Sequence, residues 1–317
     1  MSYLSTRFQQ AQVGNLIEKE AANNIEEQYE TLAWHYNYSK NDAKAIEYSV
    51  KAGDKYASFS ATVDAKKYYE IAINRINQQE PLSKKEKDFF VELCLKNGQY
   101  AHNDPSKELF EFMIIAIKYA EELKDKVKLC KLYYWLARMY LDKRETTKAL
   151  ELTKKCYKLA KNLKDPHMLG LANYIYGAYF FMIAKPKESS EYMFEAGKLL
   201  ANTTDHQLAR SAKSQYAVQN AMVEGDFNKS EKIFDEVIKM AREKKDESQV
   251  RVFIMLKGLL CYHFCRWEKL LDHLEKHDVI DNLQATVPKV YASSWKASAL
   301  VGVGKIKEGT VASQSDT

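Results

Sequence analysis

Apolar positions along the chain follow the spacing of amphipathic helices, and the helices themselves recur in pairs. Small or apolar landmarks lie midway along successive apolar stretches at intervals of 39 to 41 residues: Asn97-Gly98, Leu136-Ala137, Tyr176-Gly177, Ala217-Val218, Gly258 and Ala297. Roughly twelve residues after each of these lies a second landmark: Phe110, Ala149, Ser189, Ser230, Leu270 and Gly309. A fixed period of this length on paired helices predicts an all-α superhelix, an α-solenoid of helical hairpins.

Capping residues and prolines mark the ends of the expected helices. Asp104-Pro105 and Asp165-Pro166 each place a capping acid before a proline at a first helical position, and Ser83 with Glu86 forms a capping box. No strand is expected, because the aromatic runs fall inside helices that are too long to be strands. The expected helices cover residues 3–20, 24–39, 42–58, 61–78, 84–102, 106–123, 126–142, 145–163, 167–184, 187–201, 205–224, 227–243, 246–264, 267–277 and 286–303.

The repeat register divides the chain into three parts. Residues 1–79 hold N-terminal helices whose hairpins overlap on a spacing of about twenty residues, and residues 83–309 carry the longer period. Residues 304–309 resemble the turn and first step of a further helix, but the sequence TVASQSDT that follows is a poor helix. We therefore expect residues 310–317 to be a truncated or disordered tail, as in a fragment of a longer protein.

Composition excludes several classes of function. The net charge is +5, with 48 basic and 43 acidic residues spread along the chain, which predicts no binding to nucleic acid or membrane. No segment reaches 18 consecutive apolar residues, and the N-terminus lacks a signal-peptide core, so a cytoplasmic location is expected. The five cysteines are odd in number and lie within helical patterns, which favours reduced core residues.

Residues 32–55 resemble a tetratricopeptide hairpin. The large, small and aromatic packing positions of that repeat are occupied by Leu32, Ala33, Tyr36, Ala45 and Ala52. The second-helix pattern recurs about twenty residues later, so that one helix over 42–58 serves two repeats at once. The residues of this overlapping repeat are Ala65, Tyr69 and Ala72, with Gly53 and Tyr56 as the matching first-helix pair.

With the preceding helix RFQQAQVGNLIE (residues 7–18), this arrangement is similar to the stretch that follows the ATPase module of large signal-transduction ATPases, including soluble adenylate and guanylate cyclases. The resemblance covers roughly residues 5–78. It implies a C-terminal regulatory array with an ATPase or cyclase domain upstream. The chain itself has no GxxxxGK[ST] loop and no assignable cyclase core, so any such activity would belong to a parent protein.

One cluster of potential metal ligands lies near the end of the array: Cys261, Cys265, His273 and His277. Each pair is spaced i, i+4 on one helix face, and two thiolates with two imidazoles are a possible tetrahedral zinc set. Core packing is the favoured interpretation, because Cys261 occupies the seam position that Tyr140 holds in an earlier repeat. We expect no metal and no other cofactor.

The helix over 145–163 carries a basic face that an acidic partner or a phosphate backbone could contact. Its apolar side is supplied by Leu152, Tyr157 and Leu159, and no aromatic residues interleave with the charges, so a solvated surface is favoured. The residues of this face are Lys154, Lys155, Lys158, Lys161 and Lys164.

The first helices of the hairpins should line a concave surface, where arrays of this kind hold a protein or peptide partner. Aromatic and arginine side chains are good anchors there. The alternative is a sensor that binds a small ligand or peptide in the same groove. No nucleophile and base can be paired among the scattered histidines, so no enzymatic activity is expected. The candidate partner-binding residues are Trp34, Tyr134, Arg138, Tyr174, Gln215 and Gln219.

Overall fold

The computed structural model describes residues 3–59, 61–79, 81–101, 104–277 and 286–314. These residues form sixteen α-helices and one short 3-10 helix, Ile25–Gln28, without a strand, as the sequence predicts. The helices are α1 (Tyr3–Glu20), α2 (Tyr29–Asn37), α3 (Asp42–Ser58), α4 (Thr62–Asn77), α5 (Lys84–Ala101), α6 (Lys107–Glu122), α7 (Lys126–Asp142), α8 (Thr146–Leu163), α9 (Pro166–Met182), α10 (Pro186–Leu200), α11 (His206–Glu224), α12 (Phe227–Glu243), α13 (Glu247–His263), α14 (Trp267–Lys276), α15 (Thr286–Gly302) and α16 (Ile306–Gln314).

Most helix bounds lie within two residues of those expected from the sequence. The helix expected over 24–39 is divided into the 3-10 helix and α2. The helix α16 was not expected, and the tail predicted from residue 310 onward is helical as far as Gln314. A Cβ on Gly309 would lie 2.9 Å from the carbonyl oxygen of Ala297, so α16 packs directly on the backbone of α15. This close packing compensates for the poor helix propensity of its Thr, Val and Ser residues. Residues 315–317 lie outside the described ranges.

The chain divides into two compact units, Met1–Met168 and Leu169–Thr317, and the boundary falls inside α9. The main core of the first unit is built from α4 to α7, with a smaller cluster between α2 and α3. The main core of the second unit is built from α11 to α15. The division expected near residues 79–83 concerns the repeat register and stays a prediction. None of the described helices combines the length and apolar character needed to cross a bilayer.

The helix α3 packs against both α2 and α4, as the overlapping repeats predict. On one side the rings of Tyr36 and Tyr48 stack with their centroids 5.6 Å apart. On the other, Gly53 lies so close to Tyr69 that a Cβ would be 2.8 Å from its ring. One helix therefore completes two hairpins.

Left-handed turns recur along the array at intervals of about twenty residues or twice that. The residues with φ between 51° and 87° are Lys124, Arg144, Lys164, Ala184, Gly225, Lys245, Cys265 and Gly304. The residue after each turn immediately precedes the next helix, and where it is an aspartate its side chain caps the helix. Asp125 accepts hydrogen bonds from the backbone N–H groups of Val127 and Lys128, at 3.1 and 2.9 Å.

From α5 onward the odd-numbered helices are the first members of hairpins, and we call them A helices. The even-numbered ones are B helices. The glycine landmarks on the A helices lie in close contact with their B helices. A Cβ on Gly98 would lie 3.3 Å from Met113, and one on Gly258 would lie 3.5 Å from His273. The small residues that repeat in the sequence therefore lie at contacts between the two helices of a hairpin.

Candidate functional site

Within each unit, two A helices present a line of side chains at the same positions relative to their small landmarks. The line contains the residues at −6, −2, +1 and +5 from Gly98, Ala137, Ala217 and Gly258, which lie about one turn apart on one face. We call this line the A-helix face. In the first unit it comprises Glu92, Lys96 and Gln99 of α5 and Lys131, Trp135, Arg138 and Asp142 of α7; in the second, Ser211, Gln215, Val218 and Met222 of α11 and Val252, Leu256, Leu259 and His263 of α13.

In the second unit the A-helix face is largely apolar and uncovered. Met222 is 59% exposed and Val252 is 46% exposed. Val218, Leu256 and Leu259 are half-buried, and their inner sides pack against the core of this unit. The two helices thus form an apolar strip, with Gln215 beside it and Ser211 and His263 at its ends.

A buried polar network holds α11 and α13 side by side. The guanidinium of Arg210 donates to Gln249 Oε1 at 2.6 Å and to Asp246 Oδ2 at 2.7 Å. The amide of Gln249 donates in turn to Ser211 Oγ at 2.9 Å and to the carbonyl oxygen of Gln207 at 3.0 Å. Since Ser211 belongs to the A-helix face, the network fixes the register of the two helices along that face.

In the first unit the A-helix face is charged. Lys96 forms an ion pair with Asp54 at 2.7 Å, and Glu92 forms one with Lys128 at 3.0 Å. Burial raises the pKa of the Asp142 carboxyl above its ordinary value, and the nearby positive charge of Arg138 limits the rise. The two units therefore offer faces of different chemistry.

Comparison with known proteins gives matches in structure only. No known family's sequence profile matches the chain, and no curated protein matches it in sequence. A Rap protein complexed with competence and sporulation factor superposes with a TM-score of 0.63 at 14% identity, over 90% of this chain and 77% of that one. The apo quorum sensor NprR from B. thuringiensis gives 0.63 at 12% identity, over 98% and 86% of the two chains.

A further structural match is to an ATPase that contains a repeat sensor. It is a signal transduction ATPase with a tetratricopeptide repeat sensor from Pyrococcus horikoshii, with a TM-score of 0.58 at 11% identity. The superposition covers 95% of this chain and 47% of that one. The chain has a tetratricopeptide-like helical-repeat fold. At these identities the likeness concerns the fold alone, which the repeat period and the hairpin at residues 32–55 both predict.

Three of the candidate partner-binding residues reach the surface of the tetratricopeptide-like array. Trp34 is 52% exposed, and its ring lies 4.8 Å from that of His35 and 5.0 Å from that of Tyr38. Arg138 and Gln215 are half-buried members of the A-helix face. That a partner contacts any of the three stays a prediction.

The expected exposure of the other three candidates is wrong. Tyr134, Tyr174 and Gln219 are 1%, 6% and 0% exposed. Tyr134 comes one residue before Trp135, which turns it by about 100° around the helix axis, away from the A-helix face and into the packed interior. The repeat spacing does distinguish the two aromatic residues. The A-helix face includes the residue two positions before each small landmark, and for Ala137 that residue is Trp135.

The four potential metal ligands do not assemble. Cys261 is buried, which raises the pKa of its thiol to about 11, and Cys265 is exposed in a left-handed turn. His273 Nε2 lies 2.8 Å from the carbonyl oxygen of Ile254, and its ring centroid lies 4.9 Å from that of His277. Within the described ranges, no group of three or more His, Cys, Asp or Glu side chains is arranged to hold a metal ion.

The five lysines of the basic face on α8 and its C-terminal cap are all exposed. Lys155 forms an i, i+4 ion pair with Glu151 at 2.9 Å. The ammonium of Lys161 lies 4.8 Å from the centroid of the Tyr157 ring. These contacts are typical of a solvated helix surface, and an acidic partner on it stays a prediction.

Proposed function

We propose that this chain is a non-catalytic docking array that binds a protein partner along the A-helix face of its second unit. The observation that carries the proposal is the apolar strip on two adjacent helices, which exposes Met222 and Val252 at its ends and is half-buried in its middle. Covering apolar surface contributes about 25 cal/mol for each Å² removed from water. Apolar side chains grouped on one accessible face in this way are characteristic of interaction sites.

The A-helix face of the second unit is also held in place by hydrogen bonds, which favours the binding of a partner. The network of Arg210, Gln249 and Ser211 ties α11 to α13, so little order has to be gained when a partner binds. The likeness to a Rap protein in complex with competence and sporulation factor and to the quorum sensor NprR supports the choice of a recognition role. The proposal for this chain rests on its own strip.

Affinity capture with matched variants tests the proposal. Met222→Lys with Val252→Lys places two charges on the strip, whereas Met240→Lys places one on an exposed position of the B helix α12, outside the face. We expect a discrete partner, quantified by mass spectrometry, to be retained by the wild type and by Met240→Lys. The face variant should retain roughly tenfold less, as expected when binding anchors are lost. Equal capture by the face variant and the control, with unchanged circular dichroism, would reject this role.

A peptide sensor is the second candidate. Gln215 places an amide beside Val218 and Met222, and an amide can both donate to and accept from the backbone of an extended peptide. A peptide that binds only the folded chain must raise its melting temperature. In a thermal-shift screen, a peptide that shifts the wild type and shifts Gln215→Ala much less would support this candidate. A screen without such a peptide would leave the protein partner as the better proposal.

A place within a larger signalling ATPase or nucleotide cyclase is the finer form of the proposal. Its support is the resemblance of residues 5–78 to the stretch behind such ATPase modules. A phosphate-binding loop encoded upstream of Met1 would support it. A measured effect of the partner on nucleotide turnover by the parent protein would then establish the regulatory role, and no effect would reject it.

A further inference from the structure

A cleft of about 400 Å³ lies between α12, α13 and α14 of the second unit. None of its lining residues belongs to the A-helix face. Its volume falls in the range of roughly 300–1,000 Å³ that is typical of small-molecule sites. The charges that line it are arranged in two groups.

The charges of the first group neutralise one another through ion pairs. The ammonium of Lys257 lies 2.7 Å from Asp235 Oδ1 and 3.7 Å from Glu231 Oε1. Lys269 pairs with the other oxygen of Glu231 at 2.8 Å. Two carboxylates and two ammonium groups thus satisfy one another, and this part of the cleft offers little charge to a ligand.

The second group contains an excess of cations. Lys239, Arg242 and Lys276 line the cleft, and none of the three forms an ion pair among the described residues. Two carboxylates, Glu243 and Asp272, line the same part. The positive charge dominates at His277, where burial, Arg242 and Lys276 lower the pKa of the imidazole more than Asp272 raises it.

His273 lies between the two groups and adds a hydrogen-bond acceptor: Lys257 and Asp235 of the first group act on its pKa, and its ring centroid lies 4.9 Å from that of His277. Its side chain lines the cleft although the residue is only 7% exposed. Nε2 lies 2.8 Å from the carbonyl oxygen of Ile254, and since a carbonyl only accepts, Nε2 carries the hydrogen. Burial lowers the pKa of the ring and favours its neutral form, so Nδ1 has a lone pair without a hydrogen-bond donor among the described residues.

We propose that this cleft binds a hydrogen phosphate group, either free or as the monoanion of a small phosphate monoester. The cations Lys239, Arg242 and Lys276 match its negative charge, and the guanidinium of Arg242 can donate two parallel hydrogen bonds to its oxygens. The remaining hydrogen of the anion is donated to His273 Nδ1. A carboxylate or a sulfate has no such hydrogen at neutral pH and leaves this acceptor unpaired.

Titration calorimetry on the full chain at pH 6, where about half of a phosphate monoester carries its hydrogen, and at constant ionic strength tests the proposal with three probes: inorganic phosphate, glycerol phosphate and sulfate. We expect saturable binding of phosphate, about tenfold tighter than that of sulfate, because sulfate leaves a buried acceptor unsatisfied. Tighter binding of glycerol phosphate than of inorganic phosphate would identify a monoester as the ligand, and the reverse order would identify the free anion. Absence of saturable phosphate binding, or equal affinities for phosphate and sulfate, would overturn the proposal.

Variants locate the binding. Arg242→Gln should weaken phosphate binding about tenfold, the effect of losing a charge-assisted hydrogen bond. Lys232→Gln removes an exposed charge from the same helix outside the cleft and should change nothing. His273→Leu removes the ring and its acceptor, so it should bring the ratio of phosphate to sulfate affinity towards one, with circular dichroism confirming that the variant is folded. Equal effects of Arg242→Gln and Lys232→Gln would show a general charge effect and reject the site.

Discussion

The hydroxyl of Ser189 in α10 donates a hydrogen bond of 2.8 Å to the backbone carbonyl of Gly177 in α9. These two residues are the paired landmarks of one repeat, and both are buried. Gly177 permits the contact because a Cβ there would lie 2.8 Å from Cγ of Met193 on the facing helix. The forty-residue period therefore marks the points at which the two helices of a hairpin touch.

Replacing Gly177 should destabilise the second unit. Gly177→Ala forces α9 and α10 apart or drives Met193 from its position, which typically costs about 1–3 kcal/mol in a packed core. Urea unfolding, followed by circular dichroism, measures the change in the free energy of unfolding.

The control for this substitution lies on the facing helix. Around Gly197 the nearest heavy atom to an added Cβ is 3.7 Å away, an ordinary contact distance. Gly197→Ala should therefore stabilise the protein by roughly 0.5–1 kcal/mol, through the better helix propensity of alanine. Equal effects of the two substitutions would show that the contact at Gly177 does not limit the approach of the helices.

Substitutions at two of the left-handed turn residues should shift the melting temperature in opposite directions. Lys164 has φ of 55°, a conformation that costs a side-chain-bearing residue about 1–2 kcal/mol and costs glycine nothing. Lys164→Gly should raise the melting temperature. The backbone strain that it relieves in the folded state is larger than the stability it costs by increasing the conformational entropy of the unfolded chain. Gly225→Ala, at φ of 69°, should lower the melting temperature. Scanning calorimetry of both variants checks the pair, and a change of the same sign in both would contradict the argument.

Two cations on α11 should differ sharply in their contribution to stability. Arg210 is 5% exposed and bonds to Asp246 and Gln249, whereas the side chain of Lys213 is 40% exposed and pairs with Glu236. Arg210→Ala leaves the carboxylate and amide without their partner and should cost about 3–5 kcal/mol. Lys213→Ala should cost at most about 1 kcal/mol. Denaturant unfolding measures both, and equal losses would show that burial does not set the strength of the pair.

The two histidines of the cleft should make the second unit less stable in mild acid. Burial lowers the pKa of His273 and of His277, so the unfolded chain binds protons more readily than the folded one. Stability contributed by the neutral rings is present above pH of about 6.5, the ordinary pKa, and is lost as the pH falls from there through the lowered pKa values of the folded state. The charged groups facing the pair are Asp235 and Arg242 on α12, Lys257 on α13, and Asp272 and Lys276 on α14.

Unfolding free energies measured between pH 8 and pH 5 check this dependence. The histidine contribution is isolated by comparing the wild type with His273→Gln, which has no imidazole to protonate at this position. The variant should show a shallower loss of stability in acid. Parallel curves for the two proteins would show that His273 does not contribute.

Sequence patterns predicted the helices well because the local signals agree with the packing. Small residues such as Gly98 and Gly258 lie where helices touch, and aspartates such as Asp125 cap the helices that follow. The angle of a side chain around its helix was predicted less well. Tyr134 and Trp135 are adjacent aromatic residues, and only the positions of the neighbouring helices decide that the first is buried and the second reaches the A-helix face.

Contacts between residues distant in sequence account for the remaining differences. The spacing of His273 and His277 suits metal binding, but the carbonyl of Ile254, nineteen residues earlier, takes the hydrogen of His273. Likewise, the last helix forms because Gly309 packs onto α15, although the residues around it have poor helix propensity. Neither contact can be derived from local pattern alone.

The turns at Gly225 and Cys265 have the same backbone conformation and lie forty residues apart. The segment between these two residues is bounded by turns of the same conformation. A second copy of the segment could therefore follow the first through the same kind of turn. Tandem duplication or loss of such a segment changes the number of A helices in a single genetic event. The length of the A-helix face is then set by the number of copies.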